Sequence, residues 1–314
     1  MFDVFKNRLE ITGILTTVTA LRISQGRSLE PIGSDLPVIK DALGCPLIPG
    51  SSFKGAMRSR LESFLRGIDE SLAANPAIEA EWAITNDRLN GKNGIKKEVE
   101  EELERLYPKP EQSSARAGRK DELLTQIILA ETDSASLVFG SPWIASKFQV
   151  QDLTVLTDDW FGQYQERDGV SIDRDTETAA DGKLYDFQVV PAGTPFQFRA
   201  VVENAEDWEL GLLMVGLHQF ESQQIPLGGG RSRGLGVVEL EIADAWWMDY
   251  RDDHPEELID YLKRLVSGQR DAHYKLTNDS FKAYKDDWTD ALVNYLRQQV
   301  ATNAAANVEE GSHA

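Results

Sequence analysis

Leu9, Ile11, Leu15, Leu21 and Ile23 all fall on odd positions, and an apolar period of two marks a β-strand with one buried face. Pro49 and Gly50 then break the chain. A helix is expected over 52–66, with Ser51 or Ser52 capping the donors of its first turn. Phe53, Met57, Leu61 and Phe64 or Leu65 recur at helical spacing and should face a core. Further along, a strand is expected around 149–156, a long Gly/Asp-rich hairpin over 164–191 and a strand at 194–203. Trp208, Leu212, Val215 and Phe220 mark a second helix, and a strand follows at 235–243. Strand–helix–strand followed by strand–helix–strand is the order of an α+β, ferredoxin-like fold with an antiparallel sheet.

The remaining stretches are additions to that scheme. Residues 75–130 are charged, punctuated by Pro108, Pro110 and Gly118, and helical near 94–107 and 120–131, as expected of a solvent-exposed insertion. Two helices should occupy 251–303. Residues 304–314 read as a disordered tail.

With 314 residues, 41% of them hydrophobic, the chain can bury a sizeable core. It shows neither a transmembrane run nor a secretory signal, so a cytoplasmic protein without a membrane partner is expected. Its single cysteine, Cys45, excludes an internal disulfide and any multi-cysteine zinc site, and the four histidines are scattered. The net charge of −19 opposes nonspecific nucleic-acid binding, which depends on cations neutralising phosphates. The charge is uneven, however. Residues 1–66 hold nine Lys/Arg against six Asp/Glu, a local balance of +3 that leaves −22 for the remainder. An acidic exterior with a local basic groove would repel stray nucleic acid while admitting one strand at the groove.

Lys54 and Arg58 stand four apart on one helix face. With Ser51, Ser52 and the positive end of the helix dipole they form a candidate anion site, the alternative being an ordinary amphipathic helix with solvated charges. Gly55 follows Lys54, so the spacing fails the nucleotide P-loop and implies no nucleotide. In Pro226-Leu227-Gly228-Gly229-Gly230-Arg231-Ser232-Arg233-Gly234-Leu235-Gly236 the sixth position from Gly228 is Arg233, so the dinucleotide fingerprint fails too. Gly228, Gly229 and Gly230 either permit a tight connection or let the backbone approach phosphates, with Arg231 and Arg233 completing a cradle. Asp173, Asp175, Glu177 and Asp181 are spaced like calcium ligands, but Thr178 stands where an EF-hand requires Gly, and the terminal Glu is missing. Asp35, after Gly33-Ser34, is by itself a turn former.

Taken in order, Gly33-Ser34-Asp35-Leu36-Pro37-Val38-Ile39-Lys40, the 48–58 stretch, Val138-Phe139-Gly140-Ser141, the segments 167–174 and 178–186, and the glycine loop resemble the RAMP superfamily of CRISPR-associated proteins. The likeness runs from about Leu9 to Ile242 and is greatest to the repeated backbone subunit of type III effector complexes. It implies a ferredoxin-like (RRM-like) RAMP core over 1–250, with helical insertions and with 164–191 as a thumb hairpin that inserts between bases, where Arg167 and Arg174 would contact phosphates. It further implies guide RNA held at Ser51, Ser52, Lys54 and Arg58 and along Gly228, Gly229, Gly230, Arg231 and Arg233. Complementary target RNA would be cut at regular intervals through Asp35, which would hold a divalent cation such as Mg2+ or align a ribose 2′-hydroxyl. Copies of the chain, related RAMP subunits and other type III subunits are the implied partners. Two other readings stand beside this one: a guide-binding module without cleavage activity, and an acidic metal-binding α+β protein built around 173–186.

Overall fold

The computed structural model of the chain describes residues 4–24, 26, 36–107, 113–169, 185–250 and 255–311. Its strands are β1 (Asn7–Thr17), β2 (Leu47–Ile48), β3 (Phe148–Val150), β4 (Leu153–Thr154), β5 (Gln165–Gly169), β6 (Tyr185–Val189), β7 (Pro195–Glu203) and β8 (Val238–Asp249). Its helices are α1 (Gly50–Ile68), α2 (Asn86–Asn90), α3 (Ile95–Leu106), α4 (Ser113–Glu131), α5 (Ser134–Phe139), α6 (Asp207–Glu221), α7 (Pro255–Ser267), α8 (Arg270–Tyr274) and α9 (Asn278–Gly311). The main sheet has the order β3-β7-β1-β8, and β1 pairs antiparallel with both β7 and β8. These are the second, third, first and fourth strands of the sheet in chain order, with α1 joining the first two and α6 the last two. That is the ferredoxin-like arrangement.

The odd-numbered Leu9, Ile11 and Leu15 are at most 1% exposed, as their period of two requires. β1 nonetheless stops at Thr17, short of Leu21 and Ile23. The N–H groups of Val18 and Thr19 both donate to Val237 O, which draws the chain out of the ladder, and Leu21 pairs instead with Val190. The strand expected around 149–156 is two short strands, because Asp152 turns between them to bond the start of α1 while β3 joins β7 and β4 joins β2. β8 begins at Val238 rather than 235, since Leu235 packs against Ala20, Phe187 and Val189 instead of entering the ladder.

The chain divides into two compact units, one of Lys6–Arg60 and Gln149–Tyr295, the other of Met1–Phe5, Leu61–Phe148 and Leu296–Ala314. In the first, Phe53 of α1 stacks on Phe220 of α6 (centroids 4.1 Å apart) and tilts against Phe198 of β7 (5.0 Å). All three rings are fully buried. Phe53→Ala is expected to cost about 3–5 kcal/mol of stability, measurable as a lower midpoint in chemical denaturation. Trp208 of α6 stacks on Tyr295 of α9 at 4.0 Å.

In the second unit, Ile84, Leu89, Ile95, Val99 and Leu103 form a core against which Leu123, Leu124, Ile127, Ile128 and Trp143 pack. The insertion therefore has an interior of its own. Gly118 lies exposed within α4 instead of interrupting it. One glycine costs a helix only about 1 kcal/mol, and the apolar face of α4 outweighs that. Arg88 ties this unit together by bonding both Glu98 and Glu131. Among the described residues beyond 250 there are three helices rather than two, and α9 continues through 304–311, within the stretch 304–314 expected as a disordered tail.

Candidate nucleic-acid interface

After leaving the sheet, residues 20–24 act as a spine to which three sequence motifs are bonded through the backbone. The glycine loop attaches through Gly229 N–H to Arg22 O and Gly236 N–H to Ala20 O, at 2.8 and 2.9 Å. The root of the long hairpin attaches through Leu21 and Val190, whose N–H groups each donate to the other's carbonyl at 2.8 Å. The segment after Asp35 attaches through Ile39 N–H to Ile23 O (2.9 Å), and Leu36 in turn bonds Asp186 O and Gln188 N–H at the hairpin root. Leu47 N–H donates to Ile39 O (3.2 Å), which leads the chain through β2 directly into α1. Residues far apart in sequence are thus bonded to one short segment. Asp35 itself lies outside the described residues.

In the glycine loop, Gly228 has φ +73°, and a Cβ there would stand 2.1 Å from Arg22 O. Its smallness serves the chain's own close approach. Gly230 likewise has φ +81° and faces the Leu235 side chain. Only Gly229 of the three has open space around it, so the expectation that all three glycines admit phosphate narrows to this one. Arg231 and Arg233 are exposed on a single 3₁₀ turn between the left-handed Gly230 and Gly234, and Arg231 Nε donates to Gly228 O at 3.2 Å.

The start of α1 departs from its expected capping. Gly50 opens the helix two residues early, because without a Cβ it can approach Val150 O, to which a Cβ would come within 2.3 Å. Ser51 and Ser52 are therefore the second and third helical residues, not caps. Gly50 N–H donates to Asp152 Oδ1 at 2.8 Å, and the N–H groups of Ser52 and Phe53 donate to Pro49 O. The helix N-terminus already holds an anion of the protein's own. Ser51 is exposed at this end of the helix, and the side chains of Lys54 and Arg58 are half-buried. Burial, and then the neighbouring Arg58 guanidinium, push the Lys54 ammonium down to about 8 from its ordinary 10.5.

At the hairpin, β5 and β6 pair antiparallel, with Arg167 exposed opposite Phe187. Arg174 and the acidic set of 173–181 lie outside the described residues. Two features here were not foreseen. The Arg22 guanidinium sits 4.6 Å from the Phe187 ring centroid, which fixes a cation at the hairpin root. At the hairpin entry, Trp160 packs against Phe161 and Tyr164 (centroids 5.3 and 5.2 Å), Lys40 Nζ lies 4.3 Å over the Tyr164 ring, and Tyr164 Oη donates to Gly44 O. Burial pushes that phenol up to about 12. The three aromatics within five positions were the available signal. Arg22 had none, since its partner is 165 residues away. Among the described residues, no group of three or more His, Cys, Asp or Glu could hold a metal ion.

A family model of the RAMP superfamily matches residues 14–239. The chain belongs to the RAMP superfamily. Two proteins, each named CRISPR system Cms endoribonuclease Csm3, are similar to it. The one from Enterococcus italicus is 24% identical over 241 residues, which cover 75% of this chain and 91% of the relative. The one from Mycobacterium tuberculosis is 46% identical over 56 residues, 17% of this chain and 24% of the relative.

The RAMP span encloses every segment bonded to 20–24, together with α1 and the hairpin, and ends within the first two residues of β8. α7, α8 and α9 fall outside it. Within the span, Arg22, Lys40, Lys54, Arg58, Arg167, Arg231 and Arg233 lie on or beside these segments, in a chain of net charge −19. Cations of this kind can neutralise phosphates without base readout. No helix among the described residues is long and apolar enough to cross a membrane.

Proposed function

We propose that this chain is a guide-RNA-binding backbone subunit of a type III CRISPR effector complex and that it cleaves complementary target RNA at regular intervals through Asp35. The observation that carries this reading is the bonding of the glycine loop, the hairpin root and the segment after Asp35 to one short spine, 20–24. The names of the two relatives support it. Guide RNA follows the cations of α1 and the glycine loop, the hairpin separates bases of the guide–target duplex, and the distorted target presents a phosphate near Asp35. The ribose 2′-oxygen bonds to its own phosphorus and gives up its proton to solvent, while the bond from phosphorus to the 5′-oxygen breaks and that oxygen takes a proton from water, leaving a 2′,3′-cyclic phosphate and a 5′-hydroxyl. Asp35 aligns the attacking hydroxyl, and positioning supplies much of the rate. A divalent cation such as Mg2+ held at Asp35 would neutralise charge on the reacting phosphate, and chelation with EDTA tests that part of the reading.

The decisive experiment purifies the assembled complex and sequences its RNA. Wild type is expected to retain a guide of defined length. A variant with Lys54, Arg58, Arg231 and Arg233 all replaced by Ala should lose it while remaining folded, and retention by that variant would overturn the reading.

Lys54 adds a pH dependence. Its folded pKa of about 8 lies below its unfolded value, so folding gains stability as pH rises from about 8 towards 10.5, and charging Lys54 opposes folding below 8. A bound phosphate has the opposite effect, raising the pKa. Guide affinity should therefore fall as pH increases through about 8, in filter binding at constant ionic strength. Lys54→Arg should flatten this profile, and an unchanged slope in that variant would remove Lys54 from the contact.

A further inference from the structure

The sheet ends on β8, a strand of 12 residues with β1 on one side. At one end its outer edge is already extended by the chain itself. Trp246 bridges Lys275 in the antiparallel sense, and Leu276 N–H donates to Ala245 O at 2.8 Å. Lys275 Nζ lies 2.6 Å from Asp244 Oδ1 and 5.7 Å from the Trp246 ring centroid. This edge thus accepts an extended segment whose lysine meets an edge carboxylate.

The other half of the edge has the same character without the segment. Outward-facing backbone groups recur at every second residue of an antiparallel strand. β1 pairs with β8 throughout, with one register shift between Thr12 and Gly13, and carries the alternation from Ala245 to Ile242, Leu240 and Val238. Among the described residues, no backbone hydrogen bond from outside the sheet reaches 238–242. A groove of about 380 Å³ opens there, lined by Thr16, Glu221, Glu239, Leu240, Glu241 and Ile242. Lys285 pairs with Glu221 at 3.2 Å. Glu239 and Glu241 are exposed, and two residues apart on a strand they share a face.

We propose that the outer edge of 238–242 accepts, by antiparallel strand addition, an extended segment of a partner protein that carries Lys or Arg at alternate positions. Backbone pairing supplies affinity in this mode, and side chains at alternate positions supply specificity. The two glutamates select the basic partner and repel RNA phosphate. The site shares no residue with the RNA contacts proposed above, and its test is independent of theirs.

The test uses the full-length chain and two synthetic octapeptides, one alternating Val with Lys and the other Val with Glu, read by amide hydrogen exchange. At ten times its dissociation constant, the Val/Lys peptide should slow exchange across 238–242 by roughly tenfold, while the Val/Glu peptide and a single-stranded RNA leave it unchanged. Glu239→Lys with Glu241→Lys should abolish the protection. Glu239→Gln with Glu241→Gln should weaken it and serves as the milder substitution. The proposal is overturned if the Val/Lys peptide protects nothing, if both peptides protect equally, or if protection survives charge reversal, since the glutamates would then only guard an edge against aggregation. Protection without peptide in a dimer of the chain would also overturn it, by assigning the edge to a second copy.

Discussion

Asp35→Asn is expected to reduce target-RNA cleavage by the assembled complex on the order of 10²-fold, the cost of losing the alignment of the attacking hydroxyl. Assembly, guide retention and target binding should be unchanged, because replacing one carboxylate by its isosteric amide away from a packed core changes stability little. Leu36, the next residue in the chain, is bonded to Asp186 and Gln188 at the hairpin root, and Ile39 is bonded to Ile23 on the spine. Cleavage products of the wild type should carry a 2′,3′-cyclic phosphate, and an RNA with a 2′-deoxy sugar at the scissile position should bind without being cut. Cutting at the wild-type rate by Asp35→Asn would remove the residue from the mechanism and leave a guide-binding subunit. Cutting of the 2′-deoxy substrate would exclude attack by the ribose.

Gly228→Ala should be the most damaging single change in the glycine loop. Its φ of +73° costs an L-residue about 1–2 kcal/mol, and the added methyl, 2.1 Å from Arg22 O, forces the loop away from the spine at a further ~1–3 kcal/mol. The Gly229 N–H bond to Arg22 O would be lost with it, and Arg231 and Arg233 would shift. Gly229→Ala, in open space, should change stability by no more than about 0.5 kcal/mol yet weaken guide binding if a phosphate rests on that backbone. Thermal denaturation and gel-shift titration of the two variants separate these effects. Equal stability of Gly228→Ala and wild type would show that the loop does not depend on its approach to Arg22.

Local pattern carried most of the architecture. The period of two in Leu9, Ile11 and Leu15 and the helical spacing of Phe53, Met57, Leu61 and Leu65 each report a buried face, and all seven residues are buried. Such periodicities arise within a few residues and survive any later packing. Boundaries were harder to read where a distant group competed for the backbone. Val237 O ends β1, Asp152 divides the strand around 149–156, and Val150 O lets Gly50 rather than a serine begin α1.

The candidate site shows the same division. Sequence by itself determined the family and the ferredoxin-like fold class, because both are written in short motifs and local periodicities. It could not decide which glycine faces outward, that the α1 N-terminus already holds Asp152, or that Arg22 lies over Phe187. Those depend on contacts across 102 residues for Gly50 and Asp152 and on similarly distant pairings for the others. Only the folded chain, whose backbone bonds bring 20–24, 36–40, the hairpin root and 227–236 together, decided them.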